Sequence, residues 1–205
     1  ELYTREELIA LFKLEKVNRA GAVMNTEKLN WTNNQYLRAM TEDAYLAICE
    51  RKGLLPTEDT QSVLSGAEFM ALAKKAALVV RERIEVLPEI LLRISELQLF
   101  KAQLSYQGIA LAWKKSTPEE AKTYLSEATA FLSGQSEAWF EDRAAIETDV
   151  RAWIASKGWG NGDVLWPLRV ALSGAEKSPS PFDFLWMLGK TRSLQRIDEA
   201  HTFLA

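Results

Sequence analysis

Helix starts recur along this chain, and nothing in it reads as a competing strand. Thr4-Arg5-Glu6-Glu7, Ser65-Gly66-Ala67-Glu68 and Thr117-Pro118-Glu119-Glu120 each place a hydroxyl residue three positions before a glutamate. At that spacing the hydroxyl caps one free amide of a first helical turn while the carboxylate caps another. Pro118 adds a backbone angle already set for a helix, and the acids beside it sit on the positive end of the helix dipole. Apolar residues follow each start on one helical face: Leu8, Leu11 and Phe12; Phe69, Leu72, Ala76, Val79 and Val80; Ala121, Tyr124, Leu125, Ala128, Phe131 and Leu132. The run from Trp139 to Ile154 predicts a further long helix, stopped by Lys157-Gly158. Phe182 to Leu188 predicts a short helix closed by Gly189, and Ser193 is expected to cap a last one through Ile197 and Ala200. No stretch alternates with period two, and Asn161-Gly162 lies between helical segments. The fold class is therefore all-α. Breakers divide it at Lys52-Gly53-Leu54-Leu55-Pro56, at Ser133-Gly134-Gln135-Ser136 and at a turn over Trp159-Gly160-Asn161-Gly162.

Composition removes several function classes. One cysteine, Cys49, excludes an internal disulfide framework and zinc sites built on cysteine pairs. One histidine, His201, excludes two-histidine metal sites and argues against a Ser-His-Asp or Cys-His centre. No glycine-rich phosphate loop is present, and acid pairs such as Glu119/Glu120 and Glu141/Asp142 read as first-turn acids. No apolar run approaches the ~18 residues that span a bilayer, and no secretory signal opens the chain. A start at Glu1 leads us to expect a fragment or processed product, in a reduced cytoplasmic setting.

A net charge of −3 over 205 residues is no nucleic-acid footprint by itself. The distribution is uneven. Residues 61–115 carry 8 basic and 5 acidic side chains, whereas 116–155 carry 3 and 8.

Three stretches stand out. Asn25 to Leu37 packs Asn30, Asn33, Asn34 and Gln35 around Trp31 and Tyr36; poor helix formers at this density suit either a turn capping a helix or a surface that hydrogen-bonds a backbone. Trp31, Tyr36, Leu29 and Leu37 would form an apolar stripe. Lys74, Lys75, Arg81, Arg83 and Arg93 form a basic run that is either a solvated helix side or a nucleic-acid face. Arg169 follows Pro167, read as a helix opener, and is either a helix-face arginine or a recognition residue.

This last stretch carries a resemblance. Pro167-Leu168-Arg169-Val170-Ala171-Leu172-Ser173-Gly174, then Ser178-Pro179 and Leu188-Gly189-Lys190 with Arg196-Ile197 beyond, resembles the C-terminal anticodon-binding domain of bacterial-type glutamyl-tRNA synthetases. Leu11-Phe12-x-Leu14-Glu15-x-Val17 and Glu27-Lys28-Leu29-Asn30-Trp31-x-Asn33-x-x-Tyr36 look like that family's stem-contact region. The two matches bracket essentially all 205 residues; the interval 61–155 is matched by helical pattern and by Arg81-Glu82-Arg83-Ile84.

The resemblance implies an elongated helical bundle of two to three subdomains. These are a stem-contact region at 1–60 and two helical anticodon-binding subdomains at 61–134 and 135–205. It implies that Arg83 discriminates the third anticodon base and that Arg169 is the arginine of the Pro-Leu-Arg motif. Ser178 and Pro181 align with a loop beside the anticodon, where the family often has Thr and an aliphatic residue, so this chain departs there. Lys28, Asn30, Trp31 and Asn33 are the implied stem contacts. Trp159, Trp166 and Trp186 are aromatics available near the anticodon site, with core packing the expected job of at least two of them. The implied partner is tRNA(Glu), with tRNA(Gln) left open, and neither DNA nor membrane; the parent is expected to be monomeric.

The family's His-Ile-Gly-His and Lys-Met-Ser-Lys motifs are absent from this chain. No catalytic residue, metal ligand or cofactor is therefore expected here, and the fragment alone should be inactive. ATP and Mg belong to the implied parent, a glutamate–tRNA ligase. Two rivals remain: a class I lysyl-tRNA synthetase anticodon region and a helical scaffold without RNA. The positive 61–115 block would face RNA and the acidic segment would turn away.

Overall fold

All three expected reciprocal caps form, at Thr4 with Glu7, Ser65 with Glu68 and Thr117 with Glu120, and a fourth joins Ser180 to Asp183. Each contributes roughly 1 kcal/mol to its helix start. The computed structural model describes residues 2–17, 21, 23–57, 64–114 and 116–204. The expected subdomain boundary at residue 60 lies outside the described residues. Those described hold nine α-helices and no strand: α1 Arg5–Leu11, α2 Thr26–Ala39, α3 Glu42–Arg51, α4 Gly66–Val80, α5 Glu89–Glu96, α6 Pro118–Ser133, α7 Arg143–Ser156, α8 Asn161–Ser173 and α9 Pro181–Thr202.

Helix α9 is the hub. It packs against α8, α6 and α7 on one side and reaches α4, which in turn carries α3 and α5. The buried apolar cluster runs without a break from Leu37 and Tyr45, through Leu72 and Val79, to Leu125, Ile154, Leu168, Phe184 and Ala200. Its interior also holds a cation. Arg196, 5% exposed, donates to the carbonyls of Leu172, Gln98 (2.9 Å) and Leu99 (3.2 Å), tying the end of α8 and the segment after α5 to α9. Burial pushes its guanidinium down to about 10, so it stays charged at neutral pH. Three carbonyls in place of water offset part of the desolvation.

Several local expectations are corrected. The run from Trp139 to Ile154 is two elements: a 3-10 segment, Glu137–Glu141, then α7. Asp142 is extended (φ −103°, ψ 95°) and its carboxylate caps the amides of Ala144 and Ala145, which forces a new start. Pro167 does not open a helix. It sits inside α8, buried, and the bond lost at its missing N–H is offset by burial of the ring. Asn161 and Gly162 are the first two residues of α8, where first-turn amides need no internal partner. Ser193 caps nothing and is fully buried within α9. Gly189, by contrast, does close the expected short helix: at φ 70° and ψ −177° it is non-helical, so α9 is two helical segments joined by a kink at this residue.

The N-terminal region shows how little a good cap decides alone. Helix α1 has its capping box yet no buried residue, and Leu8, Leu11 and Phe12 are all exposed. Of the expected stripe on α2 only Leu37 is buried. No described helix is long and apolar enough to cross a membrane.

Candidate nucleic-acid interface

The site begins where α4 ends. Its last turn tightens into a 3-10 turn, Arg81–Arg83, before buried, extended Ile84. Three peptide carbonyls there receive side chains from α2. Asn33 donates to Glu85 O, Asn34 to Ile84 O (2.5 Å) and Arg38 to Glu82 O (2.5 Å), while Asn30 reaches the Glu85 carboxylate (3.0 Å). The asparagine-rich stretch is thus a helix whose polar face hydrogen-bonds a backbone. Arg81 is bound too: it donates to Met40 O (3.2 Å) and lies over the Tyr45 ring. Arg83 alone of this turn's cations is left exposed with no hydrogen bond or ion pair among the described residues.

Across from it stands Arg169, half-buried on α8. Gly174 ends α8 at φ 73°, a left-handed conformation that favours glycine, and turns the chain into the bend 174–179. Ser173 Oγ holds that bend by donating to Arg169 O (2.8 Å) and accepting from Ala175 N (3.1 Å). Arg169 itself approaches Ser178 O at 3.5 Å. Burial, then repulsion from Arg83, holds the Arg169 guanidinium below its ordinary range, against an opposing pull from Asp183.

Arg83, Arg169 and Ser178 therefore line one groove of about 660 Å³, together with Arg93, Glu96 and Lys177. No residue of the acidic 116–155 segment lines it. Pro181 does not line it; it is buried at the first position of α9, whereas Pro179 does line it. The expected stem-contact residues lie on α2, away from the groove lining: Lys28 exposed, Trp31 50% exposed, and Asn30 and Asn33 engaged with residue 85.

The remainder of the basic run serves the fold. Lys74 pairs with Glu50 (2.6 Å). Lys75, with a side chain 20% exposed, pairs with Glu141 (2.7 Å), donates to Trp186 O (3.0 Å) and lies against the Trp186 ring. Of the three tryptophans, Trp159 packs on Tyr124 and Trp153, and Trp186 donates to Glu141 O. Trp166 donates to Ala110 O (2.9 Å), packs on Trp113 and shares a smaller cavity with Arg169.

Sequence reading did not single out Glu96, Lys177 or Pro179 as groove residues. The Arg93/Glu96 spacing of three was the available signal, since it puts both on one side of α5. Chemically, a groove lined by three arginines and Lys177 beside Val80, Leu97 and Pro179 suits an unstacked polyanion, whose bases offer flat apolar faces and polar edges, more than a small apolar ligand.

Comparison with known proteins gives the family. The family described as anticodon binding domain matches residues 27–201. A glutamate–tRNA ligase of Flavobacterium psychrophilum is 32% identical over 203 residues, which are 98% of this chain and 37% of that protein. One from Thermus thermophilus is 33% identical over 200 residues, 98% of this chain and 40% of that protein. The crystal structure of a glutamate–tRNA ligase from Elizabethkingia meningosepticum superposes with a TM-score of 0.67 at 26% identity, over 98% of this chain and 37% of that one. The chain thus spans less than half the length of the relatives it matches.

Proposed function

The chain belongs to the anticodon-binding domain family, and we propose that it is the tRNA-reading part of a glutamate–tRNA ligase that joins glutamate to tRNA(Glu) with ATP. One observation carries the reading: Arg83 and Arg169, 86 positions apart in sequence, line one groove, and Arg83 has no hydrogen bond or ion pair among the described residues. In an anticodon loop the bases are splayed and present their pairing edges, which an arginine fork grips bidentately. Lys177 and Arg93 supply attraction to the phosphates between them. On this reading α2 does double duty. Its asparagines hold the Arg83 turn, and its outward Lys28 and Trp31 are available to the tRNA stem. Activation of glutamate with ATP and Mg would fall to a nucleotide-binding part of the longer enzyme.

The test is binding of tRNA(Glu), and of the same tRNA with a swapped anticodon, to the chain at two salt concentrations. Preference for the cognate anticodon, with affinity falling as salt rises, is the expected result. Equal, salt-insensitive binding of both would leave a helical scaffold as the better reading.

A further inference from the structure

The groove is not a plain cationic slot. Two carboxylates, Glu96 and Glu176, share its wall with the arginines. A surface serving only to hold a phosphate chain loses attraction with each carboxylate beside it. A nucleobase edge is different: it offers donors as well as acceptors, so reading it calls for an acceptor on the protein.

Glu96 is placed for this. Its Oε2 accepts from Arg93 at 3.2 Å, one turn away on α5. Its Oε1 has no hydrogen-bond partner among the described residues. The ion pair restrains the side chain and leaves one acceptor open, so less freedom is lost when a base arrives. Glu176 has no such anchor; it stands exposed in the bend 174–179.

We propose that Glu96, held by Arg93, is a specificity-determining residue that selects cytosine over uracil in the groove. The inference rests on reading the groove as an anticodon site. Cytosine's pairing edge presents two adjacent acceptors, N3 and O2, to an arginine fork, and one amine, N4, to a carboxylate. Arg83, exposed and unpartnered, supplies the fork. Uracil puts the carbonyl O4 where cytosine has its amine, so Glu96 would face an acceptor with no proton between them. Its N3–H also replaces one of the two acceptors the fork needs, so Glu96 and Arg83 divide the selection between them. Adenine has an amine but only one acceptor beside it on that edge, which leaves half the fork unpaired. Selection against the wrong base then comes from a repulsive contact as much as from an attractive one.

The experiment uses stem-loop RNAs identical except for C or U at one anticodon position, each of the three positions in turn. Binding is measured by fluorescence anisotropy for the unaltered chain and for Glu96→Gln, Glu176→Gln and Arg93→Gln. The unaltered chain should prefer C over U at one position by about tenfold. Glu96→Gln, whose amide can donate to O4, should cut that preference about threefold, mainly by tightening the U-containing loop, while the part set by Arg83 against the uracil N3–H remains. Arg93→Gln should reduce it as well, and Glu176→Gln should preserve it. Unfolding midpoints equal to that of the unaltered chain separate these effects from misfolding. Glu96→Gln changing both loops by one factor would overturn the assignment, as would equal binding of C and U at every position. Those results leave the anticodon reading standing if binding still falls with salt. Absence of salt-dependent binding to any loop overturns the reading and the assignment together.

Discussion

Helix α4 and the groove are both rich in cations, yet those cations do opposite work. Lys74, Lys75 and Arg81 on or just past α4 end on Glu50, Glu141, Trp186 O and Met40 O. Arg83, two residues beyond Arg81, has no such partner and faces Arg169 across open space. Charge in sequence is identical; the availability of acceptors nearby is not. Where carbonyls and carboxylates of other helices are within reach, a cation becomes a fastener. Where two cations are left facing each other, as burial and then Arg83 depress Arg169, the repulsive part is relieved when an anion or a base edge enters.

Substitutions can break or sharpen this contrast. The most damaging should be Arg196→Met, which leaves the carbonyls of Leu172, Gln98 and Leu99 without their donor. We expect a loss of about 3 kcal/mol in urea unfolding, since a buried polar group stripped of its partner costs ~1–3 kcal/mol. A loss under about 1 kcal/mol would show that Arg196 is no fastener. Next, Arg83→Gln should lower the preference for the cognate over a swapped anticodon by roughly 1–3 kcal/mol while moving stability by less than about 0.5 kcal/mol. Equal weakening of both RNAs would make Arg83 an ordinary phosphate contact.

Lys75→Gln tests the other side of the contrast. Its half-exposed ion pair and its bond to Trp186 O are together worth about 1 kcal/mol of stability, after discounting for solvent screening. The slope of log affinity against log salt should stay unchanged if this ammonium is engaged by Glu141 and Trp186 O rather than by RNA; a slope reduced by about one unit would place Lys75 at the interface instead. The smallest effects come from a matched pair of exposed lysines. Lys177→Gln should reduce that slope by about one with stability unaltered, whereas Lys74→Gln, which breaks an exposed pair with Glu50, should alter the slope not at all and stability by under about 0.5 kcal/mol. Identical salt slopes for the two variants would erase the distinction between fastener and groove cation.

What the amino-acid order determined by itself is local. The caps at Thr4, Ser65 and Thr117, the stop at Gly158 and the all-helical class follow from chemistry within one turn, where partners are three or four residues apart. Even there, competing local signals misled: Asp142 outweighed the apolar period of Trp139 to Ile154, and Pro167 lay within a helix it would ordinarily open. The resemblance pointed to Arg83 and Arg169, but sequence alone could not tell a free arginine from a bound one. Only the tertiary structure decided that, because the deciding partners are remote. Trp186 O is 111 residues from Lys75, Leu99 O is 97 from Arg196, and the α2 asparagines sit about 50 from the turn they hold. A cation's role depends on which acceptors packing brings within 3 Å of it, and helical periodicity says which side it leaves the helix on, not what waits there.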